Sequence, residues 1–75
     1  MDTLADRLEQ ARKRSVMTQA ELAIRAKVAL ITVARIETGV IDNPRPSTIR
    51  QLAEVLDIEP AWLLFGDGGM GKAAA

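Results

Sequence analysis

The chain has 75 residues, ten basic and ten acidic side chains, one Trp, one Phe, and neither Cys nor His. That length supports one small domain. The missing Cys and His remove disulfides, thiol nucleophiles and the commonest general base and metal ligand, so an enzyme, a metal centre and a cofactor site are not expected. Apolar residues make up 48% and charged residues 27%, the composition of a folded chain. No apolar run approaches the roughly 20 residues of a membrane span, and the Met-Asp-Thr start has no secretory signature. The expected setting is soluble and cytoplasmic, with no membrane partner.

Helical periodicity dominates and no stretch alternates like a strand. Thr3 caps a first helix, with Asp6 three residues on to close a capping-box-like pair. Leu4, Leu8 and Ala11 form its apolar stripe, and Arg12-Lys13-Arg14 suit the negative end of the helix dipole. Thr18 and Glu21 form a second capping box, opening a short helix over about 19–26 with Leu22, Ala23 and Ala26 inward. A third helix is predicted over about 30–38. Val33 and Ile36 face inward, Gly39 terminates the helix in a left-handed conformation, and Ala29 stands where a capping hydroxyl is expected. Two prolines make 40–46 a loop. The fourth helix starts at Pro46 as first helical residue or after Ser47 as cap, and runs to Leu56 with Ile49, Leu52, Ala53 and Leu56 inward. Pro60 opens a fifth helix through Phe65, stopped by Gly66. The division is a domain over 1–66 and a glycine-rich disordered tail over 67–75. That tail is either a chain end or a linker to a further C-terminal domain. The predicted fold class is all-α, a compact five-helix bundle.

Charge is uneven along the chain. Residues 1–11 and 51–75 are net acidic, whereas residues 12–50 hold eight basic side chains against Glu21, Glu37 and Asp42. A basic middle suggests a face built for an anion, or an ordinary mixed solvated surface.

Two short helices joined by a three- or four-residue turn form a helix-turn-helix. The segment from Thr18 to Gly39 closely resembles the phage repressor/Cro-type helix-turn-helix, the xenobiotic-response-element family of transcriptional regulators. Thr18, Gln19, Leu22, Ala23, Ala26, Val28, Val33, Ile36, Glu37 and Gly39 match its pattern. Leu8, Arg12, Leu52-Ala53 and Trp62-Leu63-Leu64 before Gly66 extend the match over about residues 4–66. The resemblance implies a lambda-repressor-like fold. It also implies a regulator, a repressor in particular, that binds double-stranded DNA as a two-fold dimer on a palindrome with helix three in the major groove.

By position, the resemblance nominates Gln19, Leu30, Ile31 and Arg35 as base contacts. Gln19 suits an adenine edge or a phosphate, Arg35 a guanine or a phosphate, and the aliphatic pair thymine methyl groups. Thr18, Lys27, Thr38 and Arg45 are candidate phosphate contacts, with solvation as the plain alternative. Arg12 and Glu37 are expected to pair between helices one and three. Pro60, Ala61, Trp62 and Phe65 form the candidate dimer interface, unless Trp62 only closes the core; the homodimer is expected to be weak without DNA. The chain makes three departures from the family pattern: Lys27 replaces the turn glycine, Ala29 the usual Ser or Thr, and Leu30-Ile31 the usual polar pair. The aliphatic pair keeps a second function open. That alternative is a protein-interaction module, an antitoxin-like or adaptor subunit, using the apolar Leu30-Ile31 surface.

Overall fold

In the computed structural model, residues 2–70 are described. Five helices follow in order: α1 (Leu4–Arg14), α2 (Gln19–Ala26), α3 (Leu30–Glu37), α4 (Pro46–Leu56) and α5 (Pro60–Phe65). Helix α1 packs on α3 and α5, α2 on α3 and α4, and α4 on α5. The core lies where these faces meet. Leu8, Leu22, Val33, Ile36, Leu52 and Leu63 are wholly buried. Each such side chain contributes about 1.5–3 kcal/mol through burial, so one aliphatic residue or more from each helix secures the bundle.

The helix starts follow from local chemistry. Thr3 and Thr18 each accept a hydrogen bond from the backbone N–H three residues on, and Asp6 and Glu21 accept one in return from Thr3 and Thr18 N–H. Both capping boxes are complete. At α4 the ambiguity resolves in favour of proline. Arg45 occupies the cap and Pro46 is the first helical residue, where its missing N–H removes no helical bond. Helix α3 has no side-chain cap at Ala29. It is one residue shorter than expected, because Thr38 serves as its cap and Gly39 takes a φ of +86°.

Three helix ends share one device, which the turn-glycine position anticipates at Lys27 and which the sequence does not disclose at Val16 and Asp57. Val16, Lys27 and Asp57 all adopt positive φ, at 56°, 58° and 56°. The next residue's N–H reaches back five positions in each case: Met17 to Arg12, Val28 to Ala23 and Ile58 to Ala53, at 3.2, 3.0 and 3.1 Å. This is the Schellman arrangement, in which an apolar residue past the left-handed position packs onto the helix. Met17, Val28 and Ile58 all pack against the core. Their burial offsets the roughly 1–2 kcal/mol cost of a non-glycine left-handed residue. That cost is highest in kind at Val16, whose branched Cβ suits this region poorly.

At two places the structure narrows what the sequence leaves open. Trp62 is 9% exposed and belongs to the core, because α5 must close the bundle over α1 and α4. The chain also does not leave the body at residue 67. Met70 packs against the core, and its carbonyl accepts from Glu59 N–H at 3.0 Å. The remainder of the expected tail, residues 71–75, lies outside the described residues.

Candidate nucleic-acid interface

Three residues, Lys27, Val28 and Ala29, separate α2 from α3. Lys27 makes the turn in its left-handed conformation and stays exposed. Helix α3 then shows two faces. Val33 and Ile36 are fully buried. Ile31, Arg35 and Thr38 fall at i, i+4 and i+7, and all three are exposed, so they form one outward stripe. Leu30 flanks it. Leu30 and Ile31 are 50% and 54% exposed, a large apolar area for a folded surface. Thr38 Oγ donates to the Arg35 carbonyl at 3.3 Å, and the Arg35 side chain is exposed.

The start of α2 presents free donors. The Thr18–Glu21 box satisfies Thr18 N–H and Glu21 N–H and leaves those of Gln19 and Ala20 unbonded within the helix. Such amides at the positive end of a helix dipole suit a phosphate oxygen. The bond from Thr18 N–H holds the Glu21 carboxyl below its ordinary pKa.

The ends of α1 and α3 meet in a nearly buried ion pair. Arg12 Nε and Nη2 donate to the two Glu37 carboxylate oxygens at 2.7 and 2.9 Å, and Arg12 Nη1 donates to the Met17 carbonyl at 2.8 Å. The two side chains are only 11% and 4% exposed. A side-on, two-bond geometry of this kind is the strong form of the pair. The hydrogen bond to Glu37 raises the Arg12 pKa, against the opposing pull of burial. Gln19 joins the same junction, with Nε2 donating to Glu37 Oε1 at 2.9 Å. The end of α1, the start of α2 and the end of α3 are thus tied at one carboxylate.

The remaining candidates divide. Arg45 is exposed at the start of α4. Lys27 lines a groove of about 390 Å³ with Arg25, Ser47 and Arg50, which brings two further basic side chains beside it. Neither Arg25 nor Arg50 stands out in sequence, because each sits on the ordinary polar face of its helix. Pro60, Ala61 and Phe65 line an apolar groove of about 230 Å³ with Pro46, Ile49 and Leu64. Phe65 is 68% exposed there. Trp62 faces the other way, into the core.

Arg7 is a structural residue that sequence reasoning passed over. It is 5% exposed, and its guanidinium donates to the carbonyls of Asp2, Leu63 and Leu64 at 2.7, 2.9 and 2.9 Å. It thereby binds the last turn of α5 to α1. A signal was present: Leu4, Arg7, Leu8 and Ala11 fill i, i+3, i+4 and i+7, so Arg7 occupies a core-facing slot.

A family profile described as a helix-turn-helix domain matches residues 3–63. The chain belongs to this helix-turn-helix family. It is 35% identical over 71 residues to the HTH-type transcriptional regulator for conjugative element R391 of Providencia rettgeri, covering 95% of this chain and 32% of that protein. It is 34% identical over 65 residues to the HTH-type transcriptional regulator DicA of Escherichia coli, covering 87% of this chain and 47% of that protein. The chain therefore spans about a third to a half of these relatives. The N-terminal DNA-binding domain of SinR from Bacillus subtilis superposes with a TM-score of 0.81 at 29% identity, covering 88% of this chain and 96% of that one. SinR in complex with DNA gives 0.80 at 31% identity, covering 83% and 98%. The five-helix architecture is that of these helix-turn-helix DNA-binding domains. Among the described residues, no helix is long and apolar enough to cross a membrane.

Proposed function

We propose that this helix-turn-helix chain is the sequence-reading domain of a transcriptional regulator, a repressor, that binds double-stranded DNA. Helix α3 enters the major groove with Ile31 and Arg35 toward the bases and Leu30 beside them. Thymine methyl groups cover the aliphatic pair and Arg35 takes guanine. The free amides at the start of α2, with Thr18, Lys27, Thr38 and Arg45, hold phosphates. The exposed stripe of α3 carries this reading, and the likeness to SinR, solved with DNA, supports it.

A dimer completes the reading. One eight-residue helix reaches few bases, whereas two related by a two-fold axis read a palindrome one helical turn apart. The groove edged by Pro60, Ala61 and Phe65 supplies the contact, and DNA holds the two copies together. The bound dimer represses by excluding polymerase.

Selection from a randomised double-stranded library tests this. A palindromic winner, bound with an affinity that falls steeply as salt rises, is the expected result. A second reading rests on the apolar exposure of Ile24, Leu30 and Ile31, at 77%, 50% and 54%. It makes this face a protein-docking surface. No enriched sequence, together with salt-insensitive binding to a protein partner, would replace the first reading with the second.

A further inference from the structure

We propose that the groove between α2 and α4 docks an acidic helical segment of a partner protein, and that this docking and DNA binding exclude each other. The exclusion rests on the DNA-binding reading above; the docking does not. The groove holds about 390 Å³ and lies between the last turn of α2 and one flank of α4, at the small end of ligand sites. Arg25, Lys27 and Arg50 line it, and all three are exposed. None of them forms an ion pair among the described residues. Arg25 acts on the Glu21 carboxylate only through its field, the least of the influences on that group. Glu54 is the one carboxylate in the lining. Three cations thus stand against one anion, on a chain whose net charge is zero. Like charges drawn together from two helices repel one another, and a cleft lined by one sign concentrates anions.

Beneath the charged rim the groove is apolar. Ala26 is buried, Val55 is half-buried against the core, and both line it. A phosphate strand satisfies the rim and leaves this floor unfilled. A helix with one aliphatic side chain and carboxylates three and four positions either side satisfies both. None of Ile24, Leu30 and Ile31 lines the groove, so it is a surface separate from their apolar face. Lys27 belongs to two sites. It makes the turn into α3, where the DNA reading gives it a phosphate, and it lines the groove. A carboxylate that pairs with Lys27 in the groove takes it from the DNA backbone and sets negative charge beside the phosphates.

The test uses the whole chain and synthetic helical peptides of roughly 15 residues. One carries a single Leu flanked by Glu, a second has Gln for every Glu, and a third has Ala for the Leu. Backbone-amide chemical shifts map where each binds. Fluorescence anisotropy follows a random-sequence duplex bound at low salt. The Glu peptide should shift the amides of Arg25, Lys27, Arg50 and Val55 and should release the duplex. The Gln and Ala peptides should each bind about tenfold more weakly. The Glu peptide should lose about the same on a chain with both Arg25→Ala and Arg50→Ala, two exposed positions whose change leaves the core intact. Shifts that fall on Leu30 and Ile31 or around Phe65 overturn the docking, as does equal affinity for the Glu and Gln peptides. A complex holding peptide and duplex together overturns the exclusion. A duplex that itself shifts Val55, with a salt slope smaller by about two in the double variant, assigns the groove to DNA instead. A chain that docks the Glu peptide and binds no duplex overturns the DNA reading and the exclusion with it, and upholds the docking.

Discussion

Helices α2 and α3 have the same length, eight residues, yet they are held by different forces. Helix α2 carries its own start signal, a complete Thr18–Glu21 capping box, and three buried residues. Helix α3 has no capping side chain, two buried residues and two large aliphatics in solvent. An isolated helix of eight residues is unstable in water, so α3 depends on what it is packed and tied to: Val33 and Ile36 beneath, and Glu37 locked to Arg12 at its end. The contrast shows how a chain can leave a reading helix free of capping polar groups while tertiary contacts keep it folded.

The sharpest way to break the contrast is Glu37→Ala. It strands the nearly buried Arg12 guanidinium and should cost about 3–5 kcal/mol. For a domain of this size the melting temperature should fall by more than about 10 °C, as measured by circular dichroism. An unchanged melting temperature would mean that α3 is held by packing alone. Thr18→Ala removes one cap from α2 and should cost about 1 kcal/mol, read as a shift in the urea midpoint at constant m-value. Ala29→Ser narrows the gap from the other side. Ala29 already has extended cap geometry, with φ −62° and ψ 140°, so a serine hydroxyl there should add up to about 1 kcal/mol. If stability does not rise, the start of α3 lacks a free amide within reach.

Lys27→Gly tests the turn between the two helices. Glycine relieves the left-handed strain, which outweighs the entropy it adds to the unfolded chain, so stability should rise by about 0.5 kcal/mol. DNA affinity should fall, with a salt slope smaller by about one, if Lys27 holds a phosphate. A more stable variant with unaltered DNA binding would confine Lys27 to the fold.

The smallest effect is that of pH. The Glu21 pKa is lower in the folded state, first through the bond from Thr18 N–H. In the acid range between the folded and unfolded values, the unfolded chain binds more protons. The contribution of the cap is therefore present above the ordinary carboxylate range and is lost as pH falls through the depressed value. An acid titration of stability should be shallower in Glu21→Gln than in wild type. Equal slopes would show that the carboxylate contributes nothing to the cap.

Much of this protein is written in short-range signals. Thr3, Thr18, Pro46, Pro60, Gly39 and Gly66 act within a turn of themselves, and the apolar spacing of α1, α2 and α4 marks their inner faces. The helix boundaries and the helix-turn-helix were legible for that reason. What escaped involves partners far along the chain. Arg7 reaches Leu63 and Leu64, and Gln19 reaches Glu37.

Val16, Lys27 and Asp57 show why. No local rule places a valine or a lysine in a left-handed conformation, since each disfavours it when considered alone. The conformation becomes affordable only once Met17, Val28 and Ile58 find a core to enter. The amino-acid sequence alone thus determined where the helices begin, end and turn their apolar faces, because capping and periodicity act over three or four residues. Tertiary structure decided which polar groups are locked away and which are left to meet a ligand. That choice depends on desolvation and on hydrogen bonds between residues as far apart as Arg7 and Leu64, which no local pattern encodes.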